Sequence, residues 1–393
     1  MKKILMITHF NSAFDGSNNS RFNYIAANIS KLCDLEMLTT SFSHGKKTHR
    51  KKIEQFNGYK VIMLHEPAYF KNISLQRFWA HMVFAKNVKK YLKNIIVKPD
   101  VIYCSVPSLS VGAVVSEYAK TNNVKLVLDI QDLWPEAFQM AFNFPFIYQP
   151  LKILANKIYN AADEIIAVSQ TFADRAFLVN KKAKRAFSVF LGTDLAFFDQ
   201  NKQIYKKNKS HDKFEIAYCG SLEASYDIKC VIDAMAILQD QGFNNISFIV
   251  MGDGSYRNKF ESYANQKSVS CSFLARIPYP EMCGILNSCD IAVNPIVANS
   301  AASIINKHAD YAAAGIPVIN SQESIEYKKL VDEFKMGFNC KNGDSLDMAN
   351  KIKYLIEDEN TRLEMGKNAR KCAEIKFDRR LTYKKIYSLL LDS

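Results

Sequence analysis

Short apolar runs alternate with helically spaced segments twice along this chain, and a single polar, lysine-rich stretch separates the two series. In the first series Ile4–Ile7, Leu35–Leu38, Tyr59–Leu64, Val101–Tyr103, Leu126–Asp129, Ile165–Val168 and Ala186–Phe190 read as strands. Ser20–Leu32, Leu75–Ile96, Ser110–Lys120, Leu151–Asn160 and Thr171–Asn180 have helical spacing. After the polar residues 199–213 the pattern restarts. Phe214–Tyr218, Ser247–Met251, Val269–Phe273, Ile291–Asn294 and Val318–Ile319 read as strands, with helices between them and three more at the end. Such alternation implies parallel sheets covered by helices on both faces. The expected fold class is α/β with two doubly wound, Rossmann-like domains. Residues 1–195 form the first, 196–213 a linker and 214–376 the second, while a last helix within 377–393 is placed to return to the first domain. Open α/β sheets bind ligands at the carboxyl ends of their strands. A cleft between two such domains is therefore the expected site.

Composition narrows the function. The 393 residues suit two domains. No run of about 18 apolar residues is long enough to span a membrane, and the opening MKKILMITHF reads as a buried strand rather than a leader. Nine scattered cysteines without a C-x-x-C pair suggest reduced thiols and a cytoplasmic setting. The seven histidines do not cluster along the chain, and there is no D-x-D pair. No metal and no cofactor are expected. Residues 1–195 hold 26 Lys and Arg against 14 Asp and Glu, a net +12, whereas residues 196–393 hold 26 against 25. The first half thus suits an anionic surface or polymer, or carries a solvated basic face. No recognition motif or stacking platform for nucleic acid accompanies that charge.

The segment NKHADYAAAGIPVIN, residues 306–320, is the most informative for chemistry. Lys307 and Asp310 share a helical face, Gly315 suits a helix end, and Pro317 cannot continue the helix. A cation and an acid so placed suit a ligand with an anionic part and hydroxyls, such as a sugar nucleotide, or form a plain surface ion pair. Other loops follow strands in order: Asp15-Gly16-Ser17, Leu191-Gly192-Thr193-Asp194, Gly220-Ser221-Leu222, Gly252-Asp253-Gly254 and Ala275-Arg276-Ile277-Pro278. A glycine loop before a helix can offer backbone N–H groups to a phosphate.

Taken in order, these motifs resemble those of the retaining GT-B glycosyltransferases usually called family 4, most strongly from Leu191 to Ile319. Asp132-Leu133-Trp134-Pro135-Glu136 is similar to a segment of the enzymes that build bacterial O-antigen and capsule repeats, such as N-acetylfucosaminyl transferases. The resemblance implies metal-independent transfer from a nucleotide-sugar donor, UDP-linked, to a lipid-linked or saccharide acceptor. It also implies donor binding by Gly16, Ser17, Gly220, Ser221, Gly252, Arg276, Ile277, Ser303, Lys307 and Asp310. The family's Arg and Lys after the Gly220-like position are replaced here by Ser221 and Tyr226, and its first glutamate by Ala302. Lys307 is then the first candidate to meet the diphosphate, Arg276 the second. Hydroxyls of Ser300 and Ser303 are candidates for the missing acid's role, and Asp310 matches the ribose-binding acid.

On the acceptor side the resemblance points to His9, Gln131, Asp132 and Glu136. Gln131 stands where much of the family has a histidine. Asp132, desolvated near Trp134, is the candidate base, or else caps the following helix. Phe78, Trp79, Met82 and Val83 beside Lys86, Lys89, Lys90 and Lys93 give Leu75–Ile96 the composition of an interfacial helix, or of one packed on a sheet. The expectation is a peripheral protein on the inner face of the cell membrane, docked on anionic lipid. A sugar-nucleotide epimerase of the same fold and a non-enzymatic polyanion-binding protein are the alternatives.

Overall fold

A computed structural model describes residues 1–14, 19–72, 74–138, 145–207, 213–298 and 304–392. The chain divides into two compact units, residues 1–190 with 382–393, and residues 191–381.

The first unit is built on an eight-stranded sheet in the order Ala186–Ser188, Glu164–Ala167, Lys125–Ile130, Val101–Val106, Lys3–Thr8, Asp34–Thr40, Tyr59–Leu64 and Gln55–Phe56. All neighbours are parallel except the last two, which form a hairpin. Lys3–Thr8 lies in the interior, with Ile4 opposite both Leu35 and Val101. Its residues are buried on both faces, as a strand covered by helices requires. The closing helix Lys384–Leu391 adds Ile386 and Leu390, with Tyr383, to the core around Ile4, Met6 and Tyr103. One buried polar network crosses this core. Arg21 Nε donates to Asp129 at 2.8 Å, Arg21 Nη1 reaches the Val189 and Phe190 carbonyls and the Tyr383 hydroxyl, and Tyr103 donates to Asp129. Burial opposes charge on Arg21, but Asp129, Tyr383 and Tyr103 together more than offset it and hold the guanidinium protonated.

The second unit carries a six-stranded parallel sheet in the order Cys271–Phe273, Ile246–Met251, Phe214–Cys219, Ile291–Asn294, Val318–Asn320 and Gly337–Asn339. The stretch expected as a linker from residue 196 begins instead as the helix Leu195–Ile204. Asp194 accepts from the Phe197 N–H and so caps it, and Leu195 and Phe198 are buried. The long helix of the first unit ends earlier than its composition suggests, spanning Leu75–Lys93. It buries Ala80, His81, Phe84, Ala85, Val88 and Leu92 and leaves Phe78, Trp79 and Met82 at 61%, 57% and 48% exposure. Its aromatic stripe therefore faces outward rather than onto the sheet.

Candidate active site

In the second unit the strand order reverses between Phe214–Cys219 and Ile291–Asn294, the position where doubly wound sheets bind ligands. The helix Asn306–Ala314 lies across it. Tyr311 fixes that helix, because its hydroxyl accepts from the Cys219 N–H at 3.0 Å and donates to the Val293 carbonyl at 3.2 Å. Gly315 ends the helix in a left-handed conformation at φ 68°. Lys307, one turn before Tyr311, is thereby carried to the carboxyl end of the sheet.

Lys307 is buried, and among the described residues its Nζ has no hydrogen-bond partner. The ammonium lies 4.1 Å from the ring centre of Tyr218 and 4.0 Å from that of Tyr226. Desolvation pushes it down to about 7. A Cβ at Gly220, whose φ is +145°, would come within 2.9 Å of Nζ. Glycine is therefore needed here on both backbone and steric grounds. The neighbouring loop closes in as well. Gly220 N–H donates to Met251 O at 3.0 Å and Leu222 N–H to Asp253 O at 3.0 Å, and a Cβ on Gly252 would overlap the Gly220 carbonyl. The two glycine loops thus brace one another around a single unpaired cation.

Lys307 and Asp310 share a helical face but do not pair. Asp310 is buried and accepts from the Tyr279 hydroxyl at 2.7 Å, which lies 2.7 Å from the Thr193 hydroxyl. The lysine turns toward Gly220, the acid toward Tyr279. Ser221 and Arg276 are exposed, Ile277 is half-buried, and Arg276 makes no hydrogen bond or ion pair among the described residues. Gly16, Ser17, Ser300, Ala302 and Ser303 lie outside the described residues. Sequence reasoning missed Tyr218 and Tyr226 as partners of the lysine; the only signal was Tyr226 standing in a family lysine's place.

In the first unit the corresponding reversal lies between Lys3–Thr8 and Val101–Val106. His9 follows directly. Its Nε2 is 3.0 Å from both oxygens of Glu66, and its ring stacks on Phe10 at 4.4 Å and Phe84 at 4.5 Å. Histidines scattered in sequence therefore do meet in space: His81 Nε2 lies 3.9 Å from Glu66, and the three ligand atoms fall within 4.8 Å of one another. That spacing could hold a cation, but Arg77 Nε points at His81 Nε2 from 3.4 Å and opposes one there.

The acid-bearing loop after Lys125–Ile130 is tied down piece by piece. Gln131 donates to Asp129 at 2.7 Å, so it serves the buried Arg21 network. Asp132 accepts from the Leu133 N–H at 2.9 Å and from Trp134 Nε1 at 3.2 Å, and burial raises its carboxyl above the usual range. Glu136 pairs with Arg175 at 2.6 Å, which anchors the helix Gln170–Phe177.

These two units define a protein of the GT-B class. Solved structures of Anabaena HepE with UDP and with UDP-glucose superpose with TM-scores of 0.72 and 0.69, covering 99% of each chain at 18% and 16% identity. Residues 199–372 match the model of the family Glycosyl transferases group 1, so the second unit carries that family's sequence pattern. The chain is 23% identical to sulfoquinovosyl transferase SQD2 of Arabidopsis thaliana over 86% of its length. It is 24% identical over 62% to the capsular polysaccharide biosynthesis glycosyltransferase CapM of Staphylococcus aureus. It spans 64% and 65% of those two relatives, just under two thirds. Among the described residues no helix is long and apolar enough to cross a membrane.

Proposed function

We propose that this protein is a retaining, metal-independent glycosyltransferase of the family 4 type. It moves a hexosyl group from a UDP-linked donor to a lipid-linked or saccharide acceptor in O-antigen or capsule assembly. One observation carries the reading: the buried, unpaired Lys307 ammonium at the strand ends of the second unit, within the segment that matches the group 1 family. A buried cation without a partner is costly, and a diphosphate relieves that cost.

The chemistry follows from the residues. As the sugar–phosphate bond breaks, negative charge builds on the departing diphosphate. Lys307 meets that charge from a dry, braced position, where a fixed cation is most effective. Glycine at 220 and 252 lets the two loops and Lys307 close on one another, which fixes where the cation stands. Asp310, oriented by Tyr279, binds donor hydroxyls. In the first unit Asp132, with its raised pKa, takes the acceptor hydroxyl's proton. The exposed stripe of Phe78, Trp79 and Met82, with exposed Lys86, Lys89, Lys90 and Lys93 on the same helix, docks on the anionic inner leaflet of the cell membrane.

Calorimetry with UDP and a panel of UDP-sugars tests the donor assignment. Wild type is expected to bind UDP and at least one UDP-sugar, and Lys307→Met to lose most of that affinity. Binding that is indifferent to Lys307, or absent for every nucleotide, would refute it.

A further inference from the structure

Two cations in the first unit share a recess in which, among the described residues, neither is ion-paired to a carboxylate. The Arg77 guanidinium lies over the rings of Trp134 at 5.0 Å, Phe10 at 5.7 Å and Tyr69 at 6.0 Å. It donates to the Asn72 carbonyl at 2.5 Å and to His81 Nε2 at 3.4 Å. The Lys47 ammonium lies 4.8 Å over the Tyr69 ring and donates to the Asn72 side chain at 2.5 Å. It is 3.5 Å from His44 Nδ1, which is 2.7 Å from the Tyr69 hydroxyl. Neither cation has a carboxylate within 4.0 Å. The two nearby acids are engaged, Glu66 with His9 and Asp132 with Leu133 and Trp134.

The electrostatics are correspondingly unfavourable. Burial lowers Arg77, which Tyr69, Glu66 and Asp132 only partly offset, and burial together with Arg77 lowers Lys47. Burial, with repulsion from these cations, pushes His44 down to about 3 and, together with neighbouring His9, His81 to about 2. Glu66 and Asp132 offset part of the Arg77 charge, but no carboxylate among the described residues pairs with either cation, so a ring-lined recess with neutral imidazoles retains a preference for an added anion. An exposed apolar face adjoins it: Phe70 and Leu75, which flank Asn72, are 74% and 89% exposed, and Phe78 and Trp79 lie on the outward face of the helix that carries Arg77.

A charged recess beside an apolar rim matches a phosphate that carries a hydrocarbon chain. We propose that Arg77, Lys47 and His44 bind the phosphate of a lipid-linked acceptor, and that Phe70, Leu75, Phe78 and Trp79 take the first part of its chain. This assignment rests on the reading of the protein as a transferase to a lipid-linked acceptor and names that acceptor's anionic handle.

The test is calorimetry on the full chain with saturating UDP, so that the second unit is already filled. The probes are farnesyl diphosphate and inorganic pyrophosphate. Wild type is expected to bind both, farnesyl diphosphate at least about tenfold more tightly. One fixed cation facing a phosphate is worth roughly a factor of ten or more. Arg77→Gln and Lys47→Gln should therefore each weaken both probes by about that factor. Phe78→Ser with Trp79→Ser should remove the farnesyl advantage and leave pyrophosphate unchanged. Equal affinity for the two probes would overturn the lipid assignment in favour of a soluble phosphate. Binding unaffected by Lys47→Gln, or no binding of either probe, would overturn the site itself. If Arg77→Gln does not fold, Lys47→Gln decides alone. The UDP titration that precedes each experiment reads the donor assignment separately, so its failure is distinguishable from failure of the phosphate site.

Discussion

The two units solve the same topological problem with opposite chemistry. Each sheet reverses its strand order once, and each places functional side chains just beyond that reversal. In the second unit those side chains are few and sealed: one lysine, two tyrosine rings and two glycine loops braced by backbone hydrogen bonds. In the first they are many and half-open: Arg77, Lys47, three histidines, Trp134, Phe10 and Asp132, around a helix whose outer stripe is exposed. A sealed cation suits one invariant ligand group, such as a diphosphate. A crowded, ring-lined recess suits a larger ligand read at several points. The difference teaches that net charge, +12 over residues 1–195 against +1 over the rest, does not locate the buried lysine that desolvation pushes down to about 7.

The largest expected effect breaks one unit and spares the other. Arg21→Met leaves Asp129 buried without its cation, which costs about 3–5 kcal/mol for a pair broken on one side. Amide hydrogen exchange should accelerate in Lys3–Thr8 and Lys125–Ile130 while Phe214–Cys219 keeps its protection. Equal loss in both sheets would show that the units do not hold their stability separately.

Next comes Lys307→Ala. Removing the buried cation at the second unit's strand ends is expected to slow transfer by about 10²–10³, as for loss of one preorganised donor. The melting temperature should hold or rise, since an unpaired buried charge is removed. A rate within about threefold of wild type would detach Lys307 from the chemistry.

How much of this was legible beforehand differs between the units for a physical reason. Two α/β domains were readable because strands buried on both faces are continuous apolar runs, and Lys3–Thr8 and Ile246–Met251 are such runs. Lys307 and Asp310 were readable because they lie in one short segment closed by Gly315 and Pro317. Their divergence was not, since helical spacing gives a shared face but not which neighbour each side chain meets. Tyr218 and Tyr226 reach Lys307 from more than 80 residues away in sequence. The recess of the first unit was invisible for the same reason. Lys47, Glu66, Arg77, His81 and Trp134 come from separate loops and a helix, and no spacing joins them. The helix Leu195–Ile204 looked like a linker because much of what anchors it is polar or reached across the chain: buried Asn201, and Asp199 paired with Arg370.

The pH dependence of donor binding sharpens the contrast further. Lys307 is about half-protonated near pH 7 in the free protein. A diphosphate binds the charged form and raises its pKa. UDP affinity should therefore be level below about pH 7 and fall above it, by up to about tenfold per unit, with nearly one proton taken up per UDP. Folding has the opposite slope. The unfolded lysine keeps its proton to about 10.5, so this group's penalty is full below about 7 and fades as pH rises toward 10.5. Calorimetry in buffers of different ionisation enthalpy measures the uptake, and Lys307→Met should abolish it. A flat affinity from pH 6 to 9 in wild type would contradict the assignment.

A smaller effect is expected at the first unit's outer helix. Replacing Lys86, Lys89, Lys90 and Lys93 by Gln should weaken co-sedimentation with anionic vesicles by about tenfold. That is less than the full ~1 kcal/mol per lysine, because the four, at i, i+3, i+4 and i+7 on one helical face, stand at different distances from the leaflet and the attraction falls off within a Debye length. High salt should release the wild type, and UDP affinity should stay unchanged. Sedimentation of the quadruple variant equal to wild type would move the docking face elsewhere.

The smallest expected effect is none. Transfer measured in excess EDTA should match the untreated rate, because Lys307 supplies at the second unit the positive charge that a divalent ion would otherwise bring. The first unit makes this a demanding test. His9, Glu66 and His81 are spaced closely enough to hold a cation, and a metal bound there would be stripped by the same treatment. Arg77 argues against that occupancy, since its guanidinium already points at His81 Nε2 from 3.4 Å, and like charges a few ångströms apart in a half-buried recess repel strongly. A loss of more than about tenfold that magnesium or manganese restores would assign the diphosphate to an ion. If the same loss disappears in His81→Ala, the ion sits in the first unit and Lys307 keeps its role. If it persists, the second unit's single cation is not sufficient for the chemistry assigned to it.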